Sequence, residues 1–340
     1  MSRKIAINGF GRIGRCVLRI LHDLQDPDLE VVAVNDLSEP DMLAHLLKYD
    51  SVHRTFKAEV RSEPGAIFVD GRRIAMSAEK DPEKLPWAEL GVELVLECTG
   101  RFRTKEQALA HLRAGAKKVI ISAPAKGEDL TCVVGVNDDK LDPDTHTVIS
   151  CASCTTNCLA PVVKVLDDVF GVDHGLITTV HSYTNDQRLL DLPHDDKRRA
   201  RAAGVSMVPS TTGAALAIGL VLPHLKGKLD GISIRVPTPD VSITDLVATL
   251  KRNATDVEVN AALKAAATSG PLVGILGFDE NELVSSDYIG SPFSSVVDAP
   301  NTKVIGDRLV KVLAWYDNEW GFSSRMVDLS RLFLGLSRRP

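Results

Sequence analysis

The stretch Gly9-Phe10-Gly11-Arg12-Ile13-Gly14 limits the possible folds of this chain more than any other. A short β-like run, KIAIN, leads into it. The residues after it, RCVLRILHDL, place Cys16, Val17, Ile20, Leu21 and Leu24 at helical spacing on one face. A second strand-like run, VVAVND, ends in Asp36, 22 residues after Gly14. A lone G-x-G-x-x-G is often just a turn. Between a strand and a helix, with a carboxylate about 20 residues on, it reads as a dinucleotide-binding fingerprint. Gly9 allows the tight turn, Gly11 lets a pyrophosphate approach the backbone, and Gly14 lets the helix pack on the strand. The helix N-terminus offers unpaired N–H groups and a positive dipole end to the phosphates. Asp36 can accept hydrogen bonds from the adenosine ribose hydroxyls, and its charge repels a 2′-phosphate, which favours NAD over NADP. Taken singly, Asp36 also reads as a surface carboxylate capping the next segment.

Three further runs, ELVLECTG (93–100), KKVIISAP (117–124) and HTVIS (146–150), read as buried strands. Residues 105–114 read as a helix closed by Gly115. Alternating strands and helices imply a largely parallel sheet, so the first half is expected to be a Rossmann-type α/β domain. The second half differs. LDGISIRVPT, DVSITDLVATL and DRLVKVLAWYD are β-branched runs at intervals that suit an antiparallel sheet. This gives an α/β fold with a Rossmann domain over 1–153 and an α+β catalytic domain, mainly antiparallel, over 154–319. The terminal helix, about 320–340, is expected to pack back on the first domain through Met326, Leu329 and Phe333.

At 340 residues, 44% hydrophobic and 25% charged, the chain has material for two cores. A net charge of −5 argues against nucleic-acid binding. No run approaches the roughly 18 apolar residues of a membrane span. The strand-like stretch begins by Lys4, too early for a signal peptide, so a cytoplasmic protein is expected.

Half of the six cysteines lie in SCASCTTNCLAP (150–161). A reducing compartment disfavours a disulfide. A zinc site wants a second ligand pair, and Cys151-x-x-Cys154 has none, so no metal is expected. A reactive thiol remains. Cys154 falls in the first turn of a helix expected over 155–170, kinked at Pro161, and a helix N-terminus stabilises a thiolate. Cys158, one turn on, reads as packing. His181 ends the run LITTV and opens the loop SYTNDQ, where either a general base or a satisfied strand-end histidine fits.

The motifs NGFGRIGR, ASCTTNCLAP, HSYTNDQ, PSTTGAA, RVPTPDVS and WYDNEWGFSSR, in this order across nearly the whole chain, resemble the phosphorylating glyceraldehyde-3-phosphate dehydrogenase family, in its NAD-dependent bacterial type. The resemblance implies a Cys154 nucleophile and a His181 base. It implies oxidation of glyceraldehyde 3-phosphate with NAD and inorganic phosphate, through a thiohemiacetal and a thioester, in glycolysis or gluconeogenesis. It also implies that Thr184 and Arg235 hold the substrate phosphate, and that Ser153, Thr155, Thr212, Gly213 and Arg199 hold the attacking phosphate. Asn318 would hold the nicotinamide carboxamide, with Arg12, Ile13, Thr99 and Ser122 as further cofactor contacts. The basic stretch at 197–201 would lie in a loop near a neighbouring subunit's cofactor in a homotetramer. Two departures stand out: Cys151 where the family commonly has Asn, and Phe322 where it commonly has Tyr. Rival readings are an erythrose-4-phosphate dehydrogenase, whose loops usually differ from SYTNDQ and STTGAA, and a non-catalytic NAD-dependent redox sensor.

Overall fold

The computed structural model describes residues 2–338. Within them the chain divides into two compact units, one of 2–132, 139–152 and 323–338, the other of 133–138 and 153–322.

The first unit is built on a nine-stranded sheet. Its strands are β1 (Arg3–Asn8), β2 (Leu29–Asn35), β3 (Val60–Glu63), β4 (Ala66–Val69), β5 (Arg72–Ser77), β6 (Leu94–Glu97), β7 (Lys118–Ile121), β8 (Leu130–Thr131) and β9 (Val148–Ser150). They run in the order β3-β4-β5-β2-β1-β6-β7-β9-β8. Every pairing is parallel except β3 with β4 and β4 with β5. The order reverses at β1, where α1 (Arg12–Asp23) leaves the sheet toward β2. Crevices at such reversals, beyond the C-terminal strand ends, are where ligands of this fold class sit. Helix α2 (Pro40–Lys48) and the short α3 (Trp87–Leu90) lie in the connections before β3 and β6. Helix α4 (Lys105–Arg113) is capped by Thr104 and followed by Gly115 at φ +106. Ile5, Ile7, Leu94, Leu96 and Ile120, with Trp87, are fully buried, as both faces of a parallel sheet require.

The second unit opens with α5 (Cys154–Phe170) and β10 (Val172–Ser182). It continues with β11 (Val208–Thr211), α6 (Ala214–Val221), β12 (Leu229–Val236), β13 (Ser242–Leu250) and α7 (Asp256–Thr268). β14 (Leu276–Asp279), β15 (Ser295–Asp298), β16 (Lys303–Ile305) and β17 (Leu309–Tyr316) complete its eight-stranded sheet. The sheet is mainly antiparallel, but β10 pairs with β12 and β14 with β15 in parallel. Helix α5 is continuous through Pro161.

Helix α8 (Trp320–Phe333) follows β17 and is the last helix among the described residues. Met326, Leu329 and Phe333 are fully buried. Arg331 fixes it within the first unit: one guanidinium nitrogen bonds both oxygens of Asp26, at 2.8 and 2.7 Å, and another bonds Asp28 at 2.9 Å.

Candidate active site and dinucleotide pocket

The glycine loop is tight for reasons of space. Gly9 has φ +92, and a methyl group there would lie 2.6 Å from the backbone nitrogen of Thr99. A methyl on Gly14 would lie 2.4 Å from the Gly9 carbonyl oxygen. At Gly11, the N-cap of α1, a methyl would meet nothing within 4 Å. That open space lies before a helix start with no side-chain cap and no acidic residue in its first turn, as a phosphate-bearing ligand requires. Asp36 closes the loop, with Oδ2 accepting from Phe10 N–H at 2.9 Å and Oδ1 from Ser38 N–H at 3.0 Å. A cavity of about 360 Å³ opens beside it, lined among others by Asn8, Gly9, Gly11, Asp36 and Thr99. These features fit a dinucleotide.

Arg12, Ile13 and Ser122 do not line that cavity. Arg12 forms an ion pair with Asp50. Burial alone would raise the Asp50 carboxyl, but the Arg12 bond and the N–H groups of His53 and Val52 hold it down to about 2. The Ser122 side chain bonds the Cys98 thiol, which burial pushes up to about 12.

The thiol site lies in the second unit. Ser153 caps α5, its Oγ accepting from Thr156 N–H at 3.0 Å, and so places Cys154 as the first helical residue. Parallel pairing of β10 with β12 sets His181 directly opposite Arg235. Cys154 Sγ is 3.5 Å from His181 Nε2. His181 Nδ1 is 2.7 Å from the Ser182 carbonyl and 3.0 Å from an Arg235 nitrogen, and Arg235 also donates to that carbonyl at 3.2 Å. With Nδ1–H on the carbonyl, Nε2 is free to accept a proton from sulfur.

The helix terminus is not the only influence on the Cys154 thiol. Burial pushes the thiol above its usual value, against Arg235 and hydrogen bonds from Thr155, which lower it. Burial, reinforced by Arg235, takes His181 down to about 3. Both shifts favour a proton on sulfur beside a neutral imidazole.

Asn318 follows β17 and is nearly buried. Its Oδ1 accepts from Ser182 Oγ and Ser242 Oγ, both at 2.8 Å, which leaves the amide N–H groups as its free face. Arg199 lies beside β11, bonded to Asp186 and, at 2.7 Å, to Ser210 Oγ. Thr212 Oγ1 accepts from Ala214 N–H at 3.2 Å, and Gly213 is the N-cap of α6. Thr184 is half-buried at the start of the following loop, its carbonyl accepting from Gln187 N–H.

Residues 3–105 match the family model described as "Glyceraldehyde 3-phosphate dehydrogenase, NAD binding domain". Residues 153–318 match "Glyceraldehyde 3-phosphate dehydrogenase, C-terminal domain". The chain belongs to the glyceraldehyde-3-phosphate dehydrogenase family. It is 62% identical to the glyceraldehyde-3-phosphate dehydrogenase of Geobacillus stearothermophilus over 330 residues, 97% of this chain and 98% of that protein. It is 60% identical to that of Thermotoga maritima over 331 residues, 97% and 99% of the two chains. With glyceraldehyde-3-phosphate dehydrogenase 2 of Bacillus subtilis it shares 52% identity over 340 residues, 100% and 99%.

Within this family frame, one site residue escaped sequence reasoning. Tyr316 is buried with its ring edge-on to His181, centroids 5.9 Å apart. Its hydroxyl is 2.8 Å from both Thr155 Oγ1 and Thr179 Oγ1. The Thr155 hydroxyl is thus turned toward the sulfur and Tyr316. The alternation of LVKVLAWY puts the tyrosine on the buried face of β17, and Tyr316 also lies in the motif WYDNEWGFSSR, but neither gave it a role.

Proposed function

We propose that this chain oxidises glyceraldehyde 3-phosphate with NAD and inorganic phosphate, giving 1,3-bisphosphoglycerate. The observation that carries this reading is the Cys154 thiol 3.5 Å from the Nε2 nitrogen of His181, with the Arg235 guanidinium beside that imidazole. As sulfur adds to the aldehyde carbon, His181 Nε2 takes the thiol proton and returns it to the new alkoxide, forming the thiohemiacetal. His181 takes the hydroxyl proton again when the carbon is oxidised to the thioester. Inorganic phosphate then displaces sulfur, and the oxidation energy is kept in the acyl phosphate. Bound NAD supplies the hydride acceptor.

The first unit would hold NAD through the glycine loop, Asp36 and Thr99, with Asn318 donating its amide N–H to the carboxamide. Arg235 has a buried Nε with no hydrogen-bond partner among the described residues, and with Thr184 it suits the substrate's phosphate, since guanidinium forks bind such oxygens well. Arg199, Ser153, Thr212 and Gly213 would receive the attacking phosphate. The chain would act as a homotetramer. Exposed apolar side chains in its basic loop, Leu189, Leu190, Val205 and Met207, are the kind a subunit contact covers. A cytoplasmic setting suits six free cysteines.

The test is NADH formation from glyceraldehyde 3-phosphate with and without inorganic phosphate. Sustained turnover only with phosphate supports the reading. No turnover with it favours a non-catalytic NAD binder, and a preference for erythrose 4-phosphate favours that enzyme.

A further inference from the structure

Behind the dinucleotide pocket lies a buried chain of polar side chains that the reaction does not use. Glu97, at the end of β6, is 1% exposed and does not line the cavity. Its Oε1 accepts from the Thr99 backbone N–H at 2.8 Å and from the Thr99 hydroxyl. Its Oε2 accepts from Asn8 Nδ2 at 2.6 Å and faces His111 Nε2 at 3.1 Å. Asn8 Oδ1 accepts in turn from Asn35 Nδ2 at 2.7 Å, and Asn35 Oδ1 accepts from Glu79 N–H at 2.9 Å. At the other end, the Trp87 indole N–H donates to His111 Nδ1 at 3.1 Å.

The last contact fixes the tautomer. Nδ1 accepts, so the ring proton sits on Nε2 and points at Glu97. One carboxylate thus gathers four donors, two from Thr99 in the loop after β6 and one each from β1 and α4, and each of its lone-pair directions is used. Its partners Thr99 and Asn8, together with Asn35 and Glu79, all line the cavity. Thr99 N is also the atom against which Gly9 packs, so the spacing between the glycine loop and the end of β6 depends on Glu97.

We propose that Glu97, oriented by His111 and Trp87, is a positioning residue for the cofactor. It preorganises Thr99 and Asn8 before the adenosine diphosphate part of NAD arrives, so that binding does not have to order them. The proposal rests on the reading of this cavity as the NAD site. A chain of fully satisfied buried polar groups specifies one arrangement, whereas a half-satisfied one is costly. In Glu97→Gln the new amide turns an N–H₂ toward donors. His111 cannot relieve that clash by moving its proton to Nδ1, because Nδ1–H would then meet the indole N–H.

The experiment measures binding by calorimetry with two probes, NAD and ADP-ribose, on the unmodified protein and on Glu97→Gln. The expected result is a Kd about tenfold weaker for both probes, with kcat at saturating NAD within twofold and the circular dichroism spectrum retained. A merely structural role would lower Tm and leave both Kd values within twofold of the unmodified protein, which would overturn the proposal. Loss of NAD affinity without loss of ADP-ribose affinity would also overturn it. A second measurement needs no variant: in ¹⁵N-histidine-labelled protein, His111 should carry its proton on Nε2, and that resonance should move when ADP-ribose is added. A proton on Nδ1, or a resonance that stays still, contradicts the proposal. If the unmodified protein binds neither probe, the NAD reading itself fails, a result distinct from unchanged affinity in the variant.

Discussion

At the scale of single residues, Cys154 is half-buried, and the groups around it influence where its proton sits. Cys154→Ser is expected to lower turnover by several orders of magnitude while NAD still binds, since a serine hydroxyl yields its proton far less readily than a thiol. Near-normal NADH formation by that variant would move the chemistry elsewhere. Cys158 is a different case. It is fully buried, 3.4 Å from Thr244 Oγ1 and 3.5 Å from Ser295 Oγ. Cys158→Ser keeps a donor there and should retain kcat within a few-fold, and a loss as large as that of Cys154→Ser would show that its role is more than packing. A protonation prediction attaches to Asp240. Burial, with the neighbouring carboxylates of Asp317 and Glu319, pushes it well above the usual carboxylate range. The folded protein therefore keeps this proton well above the pH at which the unfolded chain loses it, near 4, so the group costs stability increasingly as pH rises through that window. Asp240→Asn should melt above the unmodified protein at pH 8 and converge with it at pH 4. Parallel melting curves across that range would contradict the assignment.

At the scale of elements, the strand–loop–helix at the start of the chain separates two uses of glycine. Gly14 is needed for packing. A methyl 2.4 Å from the Gly9 carbonyl forces backbone to shift, and Gly14→Ala is expected to cost about 3 kcal/mol of stability, as overpacking of this kind does. Gly11 is needed for the ligand. Its φ of −73 suits alanine, and nothing occupies the space a methyl would enter. Gly11→Ala should leave Tm unchanged and weaken NAD more than tenfold. Thermal melts and NAD titrations of the two variants make the comparison, and unweakened NAD binding by Gly11→Ala would place the pyrophosphate elsewhere.

At the scale of the molecule, the pattern of what could be read in advance has a physical cause. The glycine loop, the helix start at Cys154 and the buried face of α8 are local, written in adjacent residues, and these were legible. The pairing of His181 with Arg235 depends on the parallel register of β10 and β12 across a sequence separation of 54, so residue spacing left His181 open until the family motifs assigned it. The antiparallel strands β3–β5 were missed because VRSE and RRIAMS carry too much charge to read as strands. The low thiol pKa was expected from the helix terminus, an effect felt within one turn, while the partial burial that opposes it is set by the whole unit. Long-range ion pairs were equally hidden. Arg331 reaches back some 300 residues to Asp26, whose side chain is fully buried. Arg331→Ala would take the guanidinium away from that buried carboxylate, at a cost of about 3–5 kcal/mol, seen as a fall of several degrees in Tm.

The most direct measurement follows the covalent state of Cys154. The protein would be mixed with NAD and glyceraldehyde 3-phosphate in phosphate-free buffer, quenched in acid, and its peptides mapped by mass spectrometry. The expected result is one acyl group per chain on Cys154, formed with a single equivalent of NADH and released when inorganic phosphate is added. Continued NADH production without phosphate and no acyl group on Cys154 would contradict the proposed chemistry.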